Sequence, residues 1–361
     1  MQQSVVSMIL FLYIFISVAL LFFNIIYMLS SGTKSKVMKY TIRREMDEQR
    51  SIMENVPAMV DQRYRRRLYR KIKNEYGLLI CVEALEKNYG RLEEDNITEY
   101  MIACRNVIFD AAAVYRKKEA MERALFAYFI SLLPEKAVPE YYRMGELLLA
   151  YLDHSTVYCR ENVLQALYTL GNENALIRAL QMLQENRWYH EPKLLSDGML
   201  HYRGDKNDLA RRLWNQKWGD QMKTVLIRFM TRLEEDMSDL VLPELETGRN
   251  ELCFAAIRYF ATHINREAEP VLLKILREDG DTAVAAAQTL GNYPDESVKE
   301  ALKEALHSRQ WDVRRNSAES LMKMKFSKEE IARLCSDEDR YAREMFIYVL
   351  ESRGKTGCWE Q

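Results

Sequence analysis

Apolar and small residues recur at helical spacing through most of this chain, and from about residue 137 the pattern repeats in blocks of about thirty. Seven nine-residue segments align. They end at Leu167, Leu200, Met230, Phe260, Leu290, Leu321 and Leu350, with steps of 29 to 33 residues. Within them Ala256 and Phe260, Ala286 and Leu290, and Ser317 and Leu321 are each four apart, on one face of a helix. Small residues let neighbouring helices approach, and larger ones fill the space between layers. A thirty-residue helical pair cannot bury its apolar face alone, so each pair must lean on the next.

The breaks between blocks carry their own chemistry. "LGN" occurs at residues 170–172 and again at 290–292. A glycine after a helix-ending leucine predicts a left-handed cap at both Gly171 and Gly291. Pro294 and Asp295 then open a new helix, with Asp295 as its N-cap. Ser327 and Glu330 have the spacing of a capping box for another restart.

One stretch lacks polar alternation altogether. Residues 5–29 contain no charge, and as a helix they would reach about 37 Å, enough to cross a bilayer with tilt. A cleaved leader would need a basic start, a shorter apolar core and a small-residue cleavage site, and none is present. The reading is one transmembrane helix, with residues 1–4 outside. Lys34, Lys36, Lys39, Arg43 and Arg44 follow it. By the positive-inside rule the bulk of the chain faces the cytosol from a single-pass anchor in the plasma membrane.

Charge then changes the picture locally. Residues 34–74 hold thirteen Lys or Arg against five Asp or Glu, whereas the whole chain is at −1. Residues 30–74 therefore read as a basic juxtamembrane helix or linker. Its sharpest cluster is Arg63, Arg65, Arg66, Arg67, Arg70, Lys71 and Lys73, interleaved with Tyr64 and Tyr69. These are candidate contacts to anionic lipid headgroups; a merely solvated helix face is the competing reading. Nucleic acid is disfavoured as a partner by the balanced total charge and the membrane proximity. Pro57 is expected to break the helix that leaves the membrane.

Composition agrees with an all-α chain. Gly (13) and Pro (7) are scarce among 361 residues, which disfavours turn-rich β architecture. The six cysteines are scattered without a C-x-x-C pair, as in a reducing compartment.

The segment "DVRRNSAESL", residues 312–321, presents an acidic residue, a β-branched one, an arginine, then small residues and leucine. "DTAVAAAQTLG" and "CRENVLQALYTLG" follow the same pattern with gaps. In this the chain resembles the HEAT repeats of the armadillo-like class. The resemblance implies a right-handed α-solenoid of about seven helical hairpins over residues 137–353. Residues 75–136 would form an irregular helical cap and residues 354–361 a frayed end. The arginine place is broken by Cys253 and Ala283, so a continuous polar ladder is not expected.

Motifs for catalysis are missing from the sequence. No two of the five histidines have helical metal spacing, and no P-loop, G-x-S-x-G or G-x-G-x-x-G occurs. The histidines read as surface or turn residues, and Asp279-Gly280-Asp281 as a turn with an N-cap. No cofactor or metal is expected, and the chain does not read as an enzyme. HEAT-like folds do include alkylpurine DNA glycosylases and phycobilin lyases, but a glycosylase needs a basic groove, and beyond the neck this chain is net acidic.

The densest aromatic group is Trp188, Tyr189, Trp214 and Trp218, with Arg187 and Arg228 in neighbouring segments. These residues, and Trp311 separately, are candidates for a protein-binding surface, since Trp, Tyr and Arg dominate binding energy. Core packing of the same aromatics is the alternative. The function that follows is a membrane-anchored scaffold or adaptor for a protein partner. A rival is an accessory subunit of a membrane complex whose main contact is the transmembrane helix, through Ser7, Ser17 and Asn24.

Overall fold

Residues 13, 16, 17, 20, 36–248, 250–278 and 280–353 are described by the computed structural model. The expected spanning segment 5–29 lies outside them except for Tyr13, Ile16, Ser17 and Leu20, which are helical. Residues 1–4 and 354–361 also lie outside. Among the described residues no helix is long and apolar enough to cross a membrane. The chain divides into two units at residues 175 and 176.

In the first unit α1 (residues 36–53) is followed by α2 (Val56–Met59), with Pro57 in its first turn. There Pro57 lacks a hydrogen only where helix starts leave donors unpaired. Next come α3 (Gln62–Ile72), α4 (Glu75–Asn88), α5 (Glu94–Tyr115), α6 (Ala120–Ser131), α7 (Val138–Tyr141), α8 (Met144–Leu149) and α9 (Val157–Leu170). The segment read as a juxtamembrane helix or linker over 30–74 is, from residue 36, helical and packed into the first unit. Ile42, Met46, Ile52, Met53, Tyr64, Leu68 and Ile72 are buried, and α3 packs on α4 and α5. Apolar residues four apart on α3 make a stripe that water expels, while its arginines occupy the other side.

Buried tyrosines tie this unit together. Tyr115 donates to the Ile72 carbonyl (2.9 Å), Tyr151 to Ala112 (2.7 Å) and Tyr141 to Met101 (2.5 Å). Each ring fills the core while its hydroxyl satisfies a main-chain acceptor about forty residues away. The helix ending at Leu170 packs along α6, so the first of the seven aligned segments belongs to this unit.

The division between units falls within α10 (Glu173–Glu185). The second unit continues with α11 (Pro192–Met199), α12 (Lys206–Trp214), α13 (Asp220–Met230), α14 (Ser238–Val241) and a 3-10 turn (Leu242–Glu246). It ends with α15 (Asn250–Thr262), α16 (Glu269–Leu276), α17 (Asp281–Leu290), α18 (Glu296–Ala305), α19 (Trp311–Leu321), α20 (Lys328–Cys335) and α21 (Arg340–Ser352). Alternate helices α11, α13, α15, α17, α19 and α21 pack side by side in chain order. From α13 onward, each also packs on the shorter element before it.

All seven aligned segments are helical. Their ends at Leu167, Met230, Phe260, Leu290, Leu321 and Leu350 are buried. Leu200 is the exception: it caps α11 half-exposed, and Met199 takes the buried place. The later layers share a polar device. Thr289 donates to the Ile257 carbonyl (3.3 Å), and one layer on Ser320 donates to Ala287 (2.8 Å). Both hydroxyls stand one residue before the aligned end of their segment, and both acceptors three residues before the aligned end of the previous one.

The two "LGN" turns differ. Gly171 is left-handed (φ 59°), as expected. Gly291 is not: it is right-handed (φ −61°), and a side chain there would stand 2.5 Å from Ser320 Oγ. Close approach of the next helix, not chirality, demands glycine at 291. Asp295 occupies its N-cap position without a capping bond from its side chain. The Ser327–Glu330 capping box is present in both directions (3.2 and 2.8 Å).

Candidate protein-binding surface

A cleft of about 340 Å³ opens between the end of α10 and the starts of α11 and α13. It arises from how α10 stops. The Trp188 amide donates to the Leu183 carbonyl (3.0 Å) and the Arg187 amide to Gln184 (3.1 Å). These are the paired bonds of a Schellman cap. The left-handed residue in that cap is usually glycine, because a Cβ there crowds the following carbonyl. Here it is Arg187, at φ 53°. Such strain collects at binding sites, where it fixes side-chain direction.

The cap turns Arg187 and Tyr189 outward, both exposed, and leaves Trp188 half-buried. All three line the cleft with Leu183, Pro192, Leu195, Met222 and Val225. Gln184 closes one wall. Its oxygen accepts from the Gly219 amide (2.7 Å) and its nitrogen donates to the Lys217 carbonyl (3.1 Å). His190, read as a surface or turn residue, stands in the connection between α10 and α11, where it is buried and lines the cleft.

The remaining candidates fall elsewhere. Trp218 is only 9 % exposed, and its indole donates to the Leu213 carbonyl at 2.5 Å. It is a core residue and not part of a binding surface, because a buried indole must find an acceptor. Trp214 is half-buried on α12 under the Lys223 ammonium, 5.3 Å from the ring. The aromatics that cluster in sequence therefore do not form one group. Trp311 is 48 % exposed at the start of α19, with the Arg315 guanidinium 5.3 Å from its ring centre.

Arg228 belongs to a larger feature. Two residues before the buried aligned positions Met230, Phe260, Leu290, Leu321 and Leu350 stand Arg228, Arg258, Gln288, Glu319 and Tyr348, all exposed or half-exposed. Nine before them stand Gln221, Glu251, Asp281, Asp312 and Tyr341, all exposed. Seven residues is two helical turns, so both rows share the solvent face of their helices. Arg258 and Phe254 were missed as candidates; the guanidinium lies 5.5 Å from the ring centre. Their signal was the thirty-residue register itself, read for exposure rather than for core.

In the basic cluster, Arg63, Arg65, Arg66, Arg70 and Lys73 are exposed. Two members have carboxylate partners. Lys71 pairs with buried Glu45 (2.5 Å) and Arg67 with Glu48 (2.5 Å). Lys71 is thus part of the fold of the first unit.

Nucleophile chemistry is not favoured at Cys104 or Cys159. Burial raises the Cys104 thiol to about 12 and Cys159 to about 11, which suppresses the reactive thiolate. Among the described residues no group of three His, Cys, Asp or Glu could hold a metal ion.

The family model for HEAT repeats matches residues 239–323 and, in an overlapping placement, 269–351. Residues 239–351 are HEAT repeats. The match begins at α14 and ends within α21, so it takes in the layers joined by Thr289 and Ser320. The exposed rows from Glu251 to Tyr348 are the solvent face of these HEAT repeats. No curated protein matches the chain.

Proposed function

We propose that the protein is a membrane-tethered scaffold whose HEAT-type helices hold a protein partner on the cytosolic side of the plasma membrane. One observation carries the reading: a non-glycine residue, Arg187, is held left-handed so that it, Trp188 and Tyr189 edge one apolar cleft. An apolar pocket with a strained aromatic and arginine rim suits an anchoring side chain of a partner, with the exposed rows of the following helices extending the contact. HEAT repeats generally serve protein binding, which supports the same reading. The tether is residues 5–29, whose 25 uncharged positions fit a bilayer, followed by basic flanks that favour a cytosolic position for both units.

A photo-crosslinking residue at position 189 in the full chain tests the surface. It should yield one partner adduct that Trp188→Ala abolishes and that the same probe at position 208, exposed on α12, does not give. Equal adducts from both positions would overturn it. Exchanging residues 5–29 for an unrelated apolar helix separates the rival in which the membrane helix is the main contact: a lost partner would favour the rival. Alkaline extraction checks the tether, which fails when the chain leaves the membrane pellet.

A further inference from the structure

Two ion pairs set the direction of α1 against α3. Glu45 meets Lys71, and one turn later Glu48 meets Arg67. As α1 advances, α3 runs back, so the helices are antiparallel. The end of α3 that carries Arg70 and Lys73 therefore lies beside the early part of α1, which carries Arg43 and Arg44. At 1.5 Å of rise per residue, these four fall within about one turn of the Lys71–Glu45 pair along the axis. Lys36 and Lys39 lie further toward the start of α1, next in the chain to the apolar segment 5–29. All six cations are exposed, and none has a carboxylate within ion-pair distance among the described residues. Asp47 and Glu75 are the exposed carboxylates nearby in sequence, so the cations outnumber them. Arg63, at the far end of α3, is eight residues from Lys71, about 12 Å away.

We infer that this end of the first unit rests on anionic lipid headgroups through Lys36, Lys39, Arg43, Arg44, Arg70 and Lys73, which sets how the unit stands on the membrane. The inference deepens the tethered reading and rests on it. The antiparallel pairing gathers cations from two helices where the chain leads toward the apolar segment, and that position favours a bilayer over nucleic acid. Each cation at an anionic surface strengthens such contact about five-fold. The proposed collar draws on both helices, where the sequence offered the linear cluster 63–73.

The test uses the full chain in nanodiscs of phosphatidylcholine alone or mixed with phosphatidylglycerol. Phenylglyoxal modification of arginines is followed by mass spectrometry. Arg43, Arg44 and Arg70 should react about five-fold more slowly in the anionic discs, while Arg63, Arg228 and Arg258 keep their rates. Protection should vanish near 1 M salt, where screening shortens to about 3 Å. Equal rates in both lipids, with the chain incorporated, overturn the collar and leave the tether standing. Protection by added RNA but not by lipid overturns it in favour of nucleic acid. A chain that fails to incorporate overturns both.

Discussion

Gly291 lies against Ser320 of the next layer so closely that a Cβ on it would stand 2.5 Å from the serine hydroxyl and 3.1 Å from the serine Cα. That hydroxyl is held in place by the Ala287 carbonyl at 2.8 Å. Gly291→Ala has a permissible backbone, since φ is −61°, yet it should destabilise the second unit by about 1–3 kcal/mol through overpacking. Urea unfolding of the variant measures it. A stabilised variant would refute close approach as the reason for this glycine.

The Arg187 cap predicts a trade between stability and binding. Arg187→Gly removes the left-handed penalty and should raise stability by about 1 kcal/mol in the same assay. It should also weaken the adduct formed from position 189. A glycine variant that is less stable and binds normally would show that the cap stores no strain.

The two tryptophans at 188 and 218 separate binding from folding. Trp218→Phe loses the indole bond to the Leu213 carbonyl, with an expected loss of about 1–3 kcal/mol. Partner capture by the folded fraction should persist. Trp188→Ala gives up a half-buried indole and should lower the thermal midpoint as well, but it should abolish capture even by the fraction that stays folded.

Lys71 and Arg67 form pairs of equal length but unequal worth. Glu45 is buried beneath Lys71, so Lys71→Met strands a carboxylate and should cost about 3 kcal/mol. The Arg67–Glu48 pair is largely exposed, and Arg67→Met should cost less than about 1 kcal/mol. Chemical denaturation of the two variants side by side decides the ranking.

Stability of the second unit should fall at both ends of the pH scale. Burial pulls His307 down, but its bond to the Asp337 carboxylate (3.2 Å) and that charge outweigh burial and raise it above 6.5. A raised folded value stabilises fully below 6.5 and is lost as pH rises through it. Glu330 is lowered to about 2 by Lys299, the Ser327 amide and Lys303. Its contribution is present above 4.5 and is lost as pH falls toward 2. Thermal midpoints across pH should lose their alkaline-side slope in His307→Asn and part of their acid-side slope in Glu330→Gln.

Much of this architecture was legible in the chain. Six of the seven aligned helix ends proved buried, and the Ser327–Glu330 box formed, because helical periodicity and capping are local properties that neighbouring residues decide. Leu200 slipped by one place to Met199, since a short helix can rotate to satisfy its neighbours. The candidate surface was half legible. Arg187, Trp188 and Tyr189 adjoin one another in sequence and share a loop, whereas Trp218 looks the same on paper and is core.

By itself the sequence determined the helical class, the thirty-residue period and most layer-facing positions, because spacing along a helix fixes which residues share a side. Only the tertiary structure decided that Gly291 answers to Ser320, that Lys71 serves Glu45, and that α1 to α3 are folded into the first unit. Those outcomes depend on residues about 26 to 29 positions apart meeting across helices. Contacts of that kind leave no mark in the local pattern of either partner.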